Sequence, residues 1–86
     1  MYQVGDLVLS RQGRDHGRNF MVVEVIDENY VLIADGKLRP LEKPKKKKVK
    51  HLEYAGKADE SIVTEFSKKE LTNPQLKKML KSKSEG

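Results

Sequence analysis

The apolar residues of this chain fall into short runs separated by turn-forming residues, the pattern of brief strands. Leu7-Val8-Leu9 is the first run. Phe20 through Ile26 is the second, interrupted by Glu24, and Tyr30-Val31-Leu32-Ile33-Ala34 is the third. Val49-Lys50-His51-Leu52-Glu53-Tyr54 alternates, with Leu52 and Tyr54 on one face. The pattern predicts strands over residues 6–11, 19–26, 30–34 and 49–54. Alternation in the second strand sets Met21, Val23 and Val25 on one face and Phe20, Val22 and Glu24 on the other. Glu24 marks the wetter face, so Met21, Val23 and Val25 are expected inward. Gly13-Arg14-Asp15-His16-Gly17 links the first two runs and reads as a tight hairpin turn, with glycine where φ must be positive. Asp27-Glu28-Asn29 is a short polar turn, and Asp35-Gly36 ends the third strand.

After residue 36 the pattern breaks. Pro40 and Pro44 cannot donate to a ladder, and Lys45-Lys46-Lys47-Lys48 follows. Residues 37–48 are therefore expected to form a long, exposed, mobile loop, with the fourth strand closing a small barrel behind it. Beyond Ala55-Gly56, Ser67 and Glu70 stand at capping-box spacing. Asn73-Pro74 is a second helix start. Leu76, Met79 and Leu80 share one helical face, which predicts a helix over 74–81 that docks through that face or frays. Ile62, Val63 and Phe66 fit either a short strand or a turn of helix. The expected fold is mostly β, a small SH3-like barrel with a short C-terminal helix. Residues 1–57 form the barrel, 58–81 an extension, and 82–86 a disordered tail.

Composition narrows the class. The chain has 86 residues and no cysteine, which suits one small domain without disulfides or thiolate metal sites. The amino terminus lacks a basic segment followed by an apolar one, and no apolar run is long enough to span a bilayer. A cytoplasmic protein without membrane attachment is expected. The net charge is +5, and its distribution matters more than its total. Residues 1–36 hold 3 Lys/Arg against 6 Asp/Glu, residues 37–57 hold 9 against 2, and residues 58–86 hold 6 against 5. One short segment thus creates a local positive field, which suits a polyanionic partner. The prolines within it, and the lack of an accompanying apolar face, argue against a membrane helix. Pro44-Lys45-Lys46-Lys47-Lys48-Val49-Lys50 also resembles a nuclear localisation signal, a pattern that basic runs often imitate.

Catalytic chemistry finds no support. His16 and His51 stand near no serine or carboxylate set of recognisable spacing, and no glycine-rich phosphate loop precedes a helix. No cofactor and no metal are expected. The aromatic residues Tyr2, Phe20, Tyr30, Tyr54 and Phe66 are too few to fill a core and also build a broad stacking platform.

Residues 8–25, VLSRQGRDHGRNFMVVEV, resemble a KOW motif: an apolar strand, a loop ending in glycine (Gly17) and a second apolar strand. The later stretch ADGKLRPLEKPKKKKVKHLEY resembles small bacterial relatives of the ribosomal protein L14e family, and the likeness covers about residues 2–57. The chain departs from larger L14e-type proteins in lacking their long helical extension. The resemblance implies an RNA-binding protein associated with the ribosome that contacts structured rRNA through loops around the motif. The residues that would carry this are Arg11, Arg14, His16 and Arg18 beside the first turn, and Lys37, Arg39, Lys43, Lys45, Lys46, Lys47, Lys48 and Lys50 in the basic segment. Lysines neutralise phosphates without demanding one geometry, whereas arginines fork onto them. Such a protein is expected to be a monomer when free. The alternative is a protein-interaction module of the transcription or translation machinery, with a ribosomal or transcription protein as partner. Its contact would be the acidic first half or the Leu76/Met79/Leu80 face.

Overall fold

The computed structural model describes residues 1–85. The three apolar runs become β1 (Asp6–Ser10), β2 (Asn19–Val25) and β3 (Tyr30–Ala34). They are followed by β4 (Lys45–Lys48), a 3-10 turn (Val49–His51) and β5 (Leu52–Lys57). Two helices complete the chain, α1 (Glu60–Ser67) and α2 (Asn73–Glu85). The strands form one antiparallel sheet in the order β4-β3-β2-β1-β5. The mostly β, SH3-like architecture expected from the sequence is what the chain adopts. No helix among the described residues is long and apolar enough to cross a membrane.

The sheet curls so that its two edges approach each other. At one end of the 3-10 turn the Val49 N–H donates to the Asn29 carbonyl (2.9 Å); at the other, the Arg11 N–H donates to the His51 carbonyl (2.8 Å). The turn thereby ties the start of β3 to the end of β1. Inside the curl lies a cluster of Val8, Phe20, Val22, Val31, Ile33 and Leu52. Its members come from β1, β2, β3 and β5, the mixture a curled sheet brings together.

The opposite sheet face is covered as well. Leu7, Met21 and Ala34 pack under Leu76, Met79 and Leu80 of α2 and Ala58, with Ile62, Val63 and Phe66 of α1 against them. The expected apolar face of the C-terminal helix therefore docks. It also corrects the inside/outside assignment of β2, because Phe20, Met21 and Val22 are all fully buried. Phe20 and Val22 line the barrel interior and Met21 and Val23 face the helices. Val25 returns to the interior cluster because the β2–β3 register shifts between Val22 and Glu24. One extra residue in a strand reverses the parity of everything after it.

The largest correction concerns the lysine run. Residues 45–48 are not a mobile loop but β4, paired with β3 through Tyr30↔Lys48, Val31↔Lys47, Leu32↔Lys46 and Ile33↔Lys45. Pro44 stops one residue short of the strand, so no ladder donor is lost. Lysine is at home on an edge strand, where its charge blocks pairing with another chain. The predicted strand over 49–54 accordingly divides into the 3-10 turn and β5. Leu52 is buried, whereas Tyr54 stays at the rim and stacks on Tyr2, ring centroids 6.4 Å apart.

The helical segment differs in its boundaries. Ile62, Val63 and Phe66 lie on α1, and Ser67 is that helix's last residue instead of the first of another. The working capping box sits five residues later. The Thr72 N–H donates to Gln75 Oε1 (2.9 Å), and the Gln75 N–H donates to Thr72 Oγ1 (3.3 Å). This is the reciprocal pairing the motif requires. α2 continues through Glu85, beyond the expected end at residue 81 and through most of the segment expected to be disordered. Gly86 lies outside the described residues.

Candidate nucleic-acid interface

The β1–β2 loop, residues 11–18, is the hub of the basic surface. Its glycines set its shape. Gly13 and Gly17 both have φ of +84°, which non-glycine residues adopt only at a cost. The Gly17 N–H donates to the Ser10 carbonyl (2.8 Å), and the Ser10 N–H donates to the Arg18 carbonyl (3.0 Å), closing the loop at its base.

Three contacts join this loop to the segment between β3 and β5. Arg39 Nη2 donates to Asp15 Oδ2 at 3.1 Å, and the Asp15 side chain is only 4% exposed. Arg18 Nη2 stands 3.7 Å from Asp35 Oδ2. Lys47 Nζ donates to the Gln12 carbonyl at 2.8 Å. The register explains why these groups meet. Met21 pairs with Ala34, so the start of β2 and the end of β3 lie side by side and their loops emerge together. The structure thus brings the two basic segments of the sequence into one region.

Not every candidate cation is equally available there. Arg39 and Arg18 are half-buried structural ties, and their Nε atoms are buried with no partner among the described residues. Arg11 faces Glu53 at 3.5 Å. Such a pair, exposed on both sides, holds little energy and can open to another anion. Arg14, His16, Lys37 and Lys43 are exposed. Along β4 the lysines alternate. Lys45 and Lys47 lie on the face of Ile33 and Val31. Lys46, on the other face, sets its ammonium 4.5 Å from the centre of the Tyr30 ring, a cation–π contact. Lys48 and Lys50 border a hollow with Glu28 and Asn29.

The electrostatics follow. Burial pushes the His51 pKa below the usual histidine value, and Lys50, Lys48 and Lys47 push it the same way. Both effects disfavour the imidazolium, the second because the ring sits in the positive field of the lysines. Tyr2 is shifted up by burial and then by the negative charges of Asp6 and Glu53. Glu42 is held below the usual carboxylate value chiefly by the Asn73 amide, which donates to it at 2.9 Å. The acidic residues of the β1–β2 and β3–β4 loops are thus engaged in holding the scaffold. Among the described residues, no group of three or more His, Asp or Glu side chains gathers where it could hold a metal ion.

Sequence reasoning missed Asp15, Asp35 and Asn73. Asp35 Oδ1 accepts from the Lys37 and Arg39 N–H groups at 2.9 and 2.8 Å. Asn73 accepts from the Leu41 N–H at 2.8 Å and clamps the β3–β4 loop to α2. Asp35-Gly36 carried a readable signal, since aspartate before glycine often turns the chain through its own side chain. Asn73 reads as a helix cap, and its contact with Leu41 lies 32 positions away in sequence.

No family model matches the chain. Curated relatives do. The large ribosomal subunit protein eL14 of Staphylothermus marinus is 32% identical over 90 residues, covering 86% of this chain and 93% of that protein. The eL14 of Desulfurococcus amylolyticus is 29% identical, covering 83% of this chain and 82% of its own. That of Pyrobaculum arsenaticum is 39% identical over 54 residues, 52% of its length. A match over 86% of the chain extends past residue 57, so the likeness is not confined to the barrel. With a relative this similar along nearly its whole length, the chain belongs to the eL14 family of large ribosomal subunit proteins.

Proposed function

We propose that this protein associates with the large ribosomal subunit and binds structured rRNA through the basic surface around the β1–β2 loop. The observation that carries this reading is the Lys47–Gln12 contact, which joins the lysine strand to the arginine-bearing loop. Charges separated in the sequence become one field, and a strand holds lysines at fixed spacing where a loop would not. Phosphates are the natural ligand of such a surface. They are recognised by charge and position and carry no base identity, so binding follows the shape of a folded RNA. Arg14 and His16 on the loop, Lys37 and Lys43 in the β3–β4 segment, and Lys45, Lys46, Lys48 and Lys50 around β4 are the groups free to make these contacts. Arg11 joins them by exchanging Glu53 for phosphate. Arg18, Arg39 and Lys47 chiefly hold the surface together. The helix-face version of the protein-interaction alternative loses its basis, because Leu76, Met79 and Leu80 are buried against the sheet. Expression of a tagged chain in its own cells tests the proposal. Co-sedimentation with the large subunit, with crosslinks to rRNA that map to these residues, is the expected result. A chain that sediments free of ribosomes and crosslinks only to protein would overturn it.

A further inference from the structure

Tyr30 is a partly exposed ring that belongs to neither apolar cluster. It borders a hollow of about 360 Å³ beside the 3-10 turn, whose other walls are Glu28, Asn29, Lys48, Val49 and Lys50. We propose that this hollow receives one unpaired nucleotide of the bound RNA, with its base against Tyr30 and Val49 and its phosphate on Lys48 and Lys50. The inference rests on the RNA-binding reading above and adds a base contact to the phosphate contacts described there.

The walls are available to a ligand. Glu28, Asn29, Lys48 and Lys50 are exposed. Among the described residues, no ion pair or hydrogen bond engages the Glu28 carboxylate, the Asn29 amide or either ammonium. Lys46 lies over the Tyr30 ring at 4.5 Å but does not line the hollow, so the ring meets the hollow on another side. The walls are also fixed before a ligand arrives. Asp27 Oδ1 accepts from the N–H groups of Asn29 (2.8 Å) and Tyr30 (2.9 Å). The Asn29 carbonyl accepts from the Val49 N–H, and Tyr30 pairs with Lys48 across β3 and β4. The chemistry selects a nucleotide over a bare phosphate or an acidic peptide. Two ammonium groups suit a phosphate, but a phosphate has no use for an aromatic ring and a valine. Glu28 repels an acidic side chain, yet it can accept from the N–H groups on a base edge, and the Asn29 amide both donates and accepts. A paired, stacked base has neither face nor edge to offer, so the occupant is a bulged or looped-out nucleotide. Lys48 belongs to both β4 and the hollow, so a backbone lying on the lysine strand leads into it.

The test uses the full chain and three RNA hairpins of one stem sequence. One is fully paired, one carries a single bulged nucleotide, and one carries an abasic residue at the bulge. A base stacked on an aromatic ring should make the bulged hairpin bind at least about fivefold more tightly than the abasic one. Tyr30→Phe should keep that advantage. Tyr30→Leu should reduce it to under about twofold while leaving affinity for the paired hairpin within about twofold of wild type. Tyr54→Leu removes an exposed ring outside the hollow and should leave the advantage intact. A measurement on the wild-type protein needs no variant to fold: backbone amide shifts should differ between the bulged and abasic complexes at residues 28–30 and 48–50. If all three hairpins bind alike with the expected salt dependence, or if Tyr54→Leu and not Tyr30→Leu abolishes the advantage, the proposal is overturned and the RNA reading stands. Shift differences confined to other residues would overturn it in the same way. Shifts of these amides by poly-glutamate and not by RNA would overturn it in favour of an acidic protein partner. If no hairpin binds with salt-dependent affinity, the RNA reading fails and the proposal with it.

Discussion

Gly17 sits at φ +84° with no atom within 4 Å of where a Cβ would be. Substitution there is opposed by backbone strain alone. Gly17→Val should cost about 1–3 kcal/mol, read as a lowered denaturation midpoint; an unchanged midpoint would contradict this account of the loop. Gly36 is subject to a second effect. Its φ is +78°, and a Cβ would strike the Asn73 backbone. Gly36→Ala should therefore cost about 2–4 kcal/mol despite its smaller side chain. Chemical denaturation showing Gly36→Ala milder than Gly17→Val would mean that α2 does not pack as described. Arg39 is a candidate RNA contact whose first role is structural. Arg39→Gln strands the buried Asp15 carboxylate, and a loss of about 2 kcal/mol or more is expected, so weakened RNA binding in that variant would not by itself identify a contact. His51 offers a probe that leaves the fold intact. Its pKa lies below 6.5 in the free protein because of burial and then its lysine neighbours. The unfolded chain takes up that proton more readily. His51 therefore contributes stability that is complete above the unfolded value and declines as pH falls through it. A polyanion on the lysines would favour the imidazolium, so the His51 titration followed by NMR should move upward when RNA is added. A midpoint that stays fixed at saturating RNA would place the phosphates elsewhere.

Element β4 best illustrates what the sequence does and does not reveal. β1, β2 and β3 are legible because alternating or continuous apolar residues between turns have few other solutions. The docking face of α2 is legible for the same reason, through Leu76, Met79 and Leu80. Lys45 to Lys48 carry no such pattern, since every side chain is polar. They form a strand because β3 has an open edge, and the backbone can satisfy it with any residue able to donate. Non-local pairing leaves no trace in local composition. The capping box was legible in kind but misplaced, because Ser67/Glu70 and Thr72/Gln75 share one spacing and tertiary packing of Phe66 on α1 decides between them. Within the basic region, charge showed which residues are cationic. It could not separate those facing solvent from those tied to Asp15 or Asp35, because that depends on contacts between distant loops. The strand assignment sets the outcome expected for a four-lysine variant, in which Lys45, Lys46, Lys47 and Lys48 are all replaced by Gln. Glutamine retains the β4 backbone ladder but removes the Lys46–Tyr30 contact and the Lys47–Gln12 bond. Stability should fall by about 1–2 kcal/mol in total, mostly through Lys46 and Lys47. Lys45→Gln and Lys48→Gln alone should stay within about 0.5 kcal/mol of wild type in thermal melts. Equal effects at all four positions would argue against the observed alternation.

At the scale of the whole molecule, two apolar clusters on opposite faces of one sheet make barrel and helices a single cooperative unit. Leu76 is fully buried in the helix-side cluster. Leu76→Ala should cost about 2–5 kcal/mol, a large share of the stability of a domain this small. Removal of residues 73–86 should leave a chain that does not fold, because Leu7, Met21 and Ala34 would be exposed; a well-dispersed NMR spectrum from the truncated chain would contradict this. The same coupling joins structure to function. The sheet presents β4 and the β1–β2 loop, joined by the Lys47–Gln12 bond into one positive field, and α2 covers the opposite face. The central claim is that this field binds RNA through phosphates, and the salt dependence of affinity tests it most directly. With about four to six phosphates engaged, log K for a folded rRNA fragment should fall by about three to five units per decade of salt. Unrelated duplexes should show little discrimination, and the slope should flatten in the four-lysine variant. A wild-type slope near zero, or one that the four-lysine variant leaves unchanged, would contradict the account.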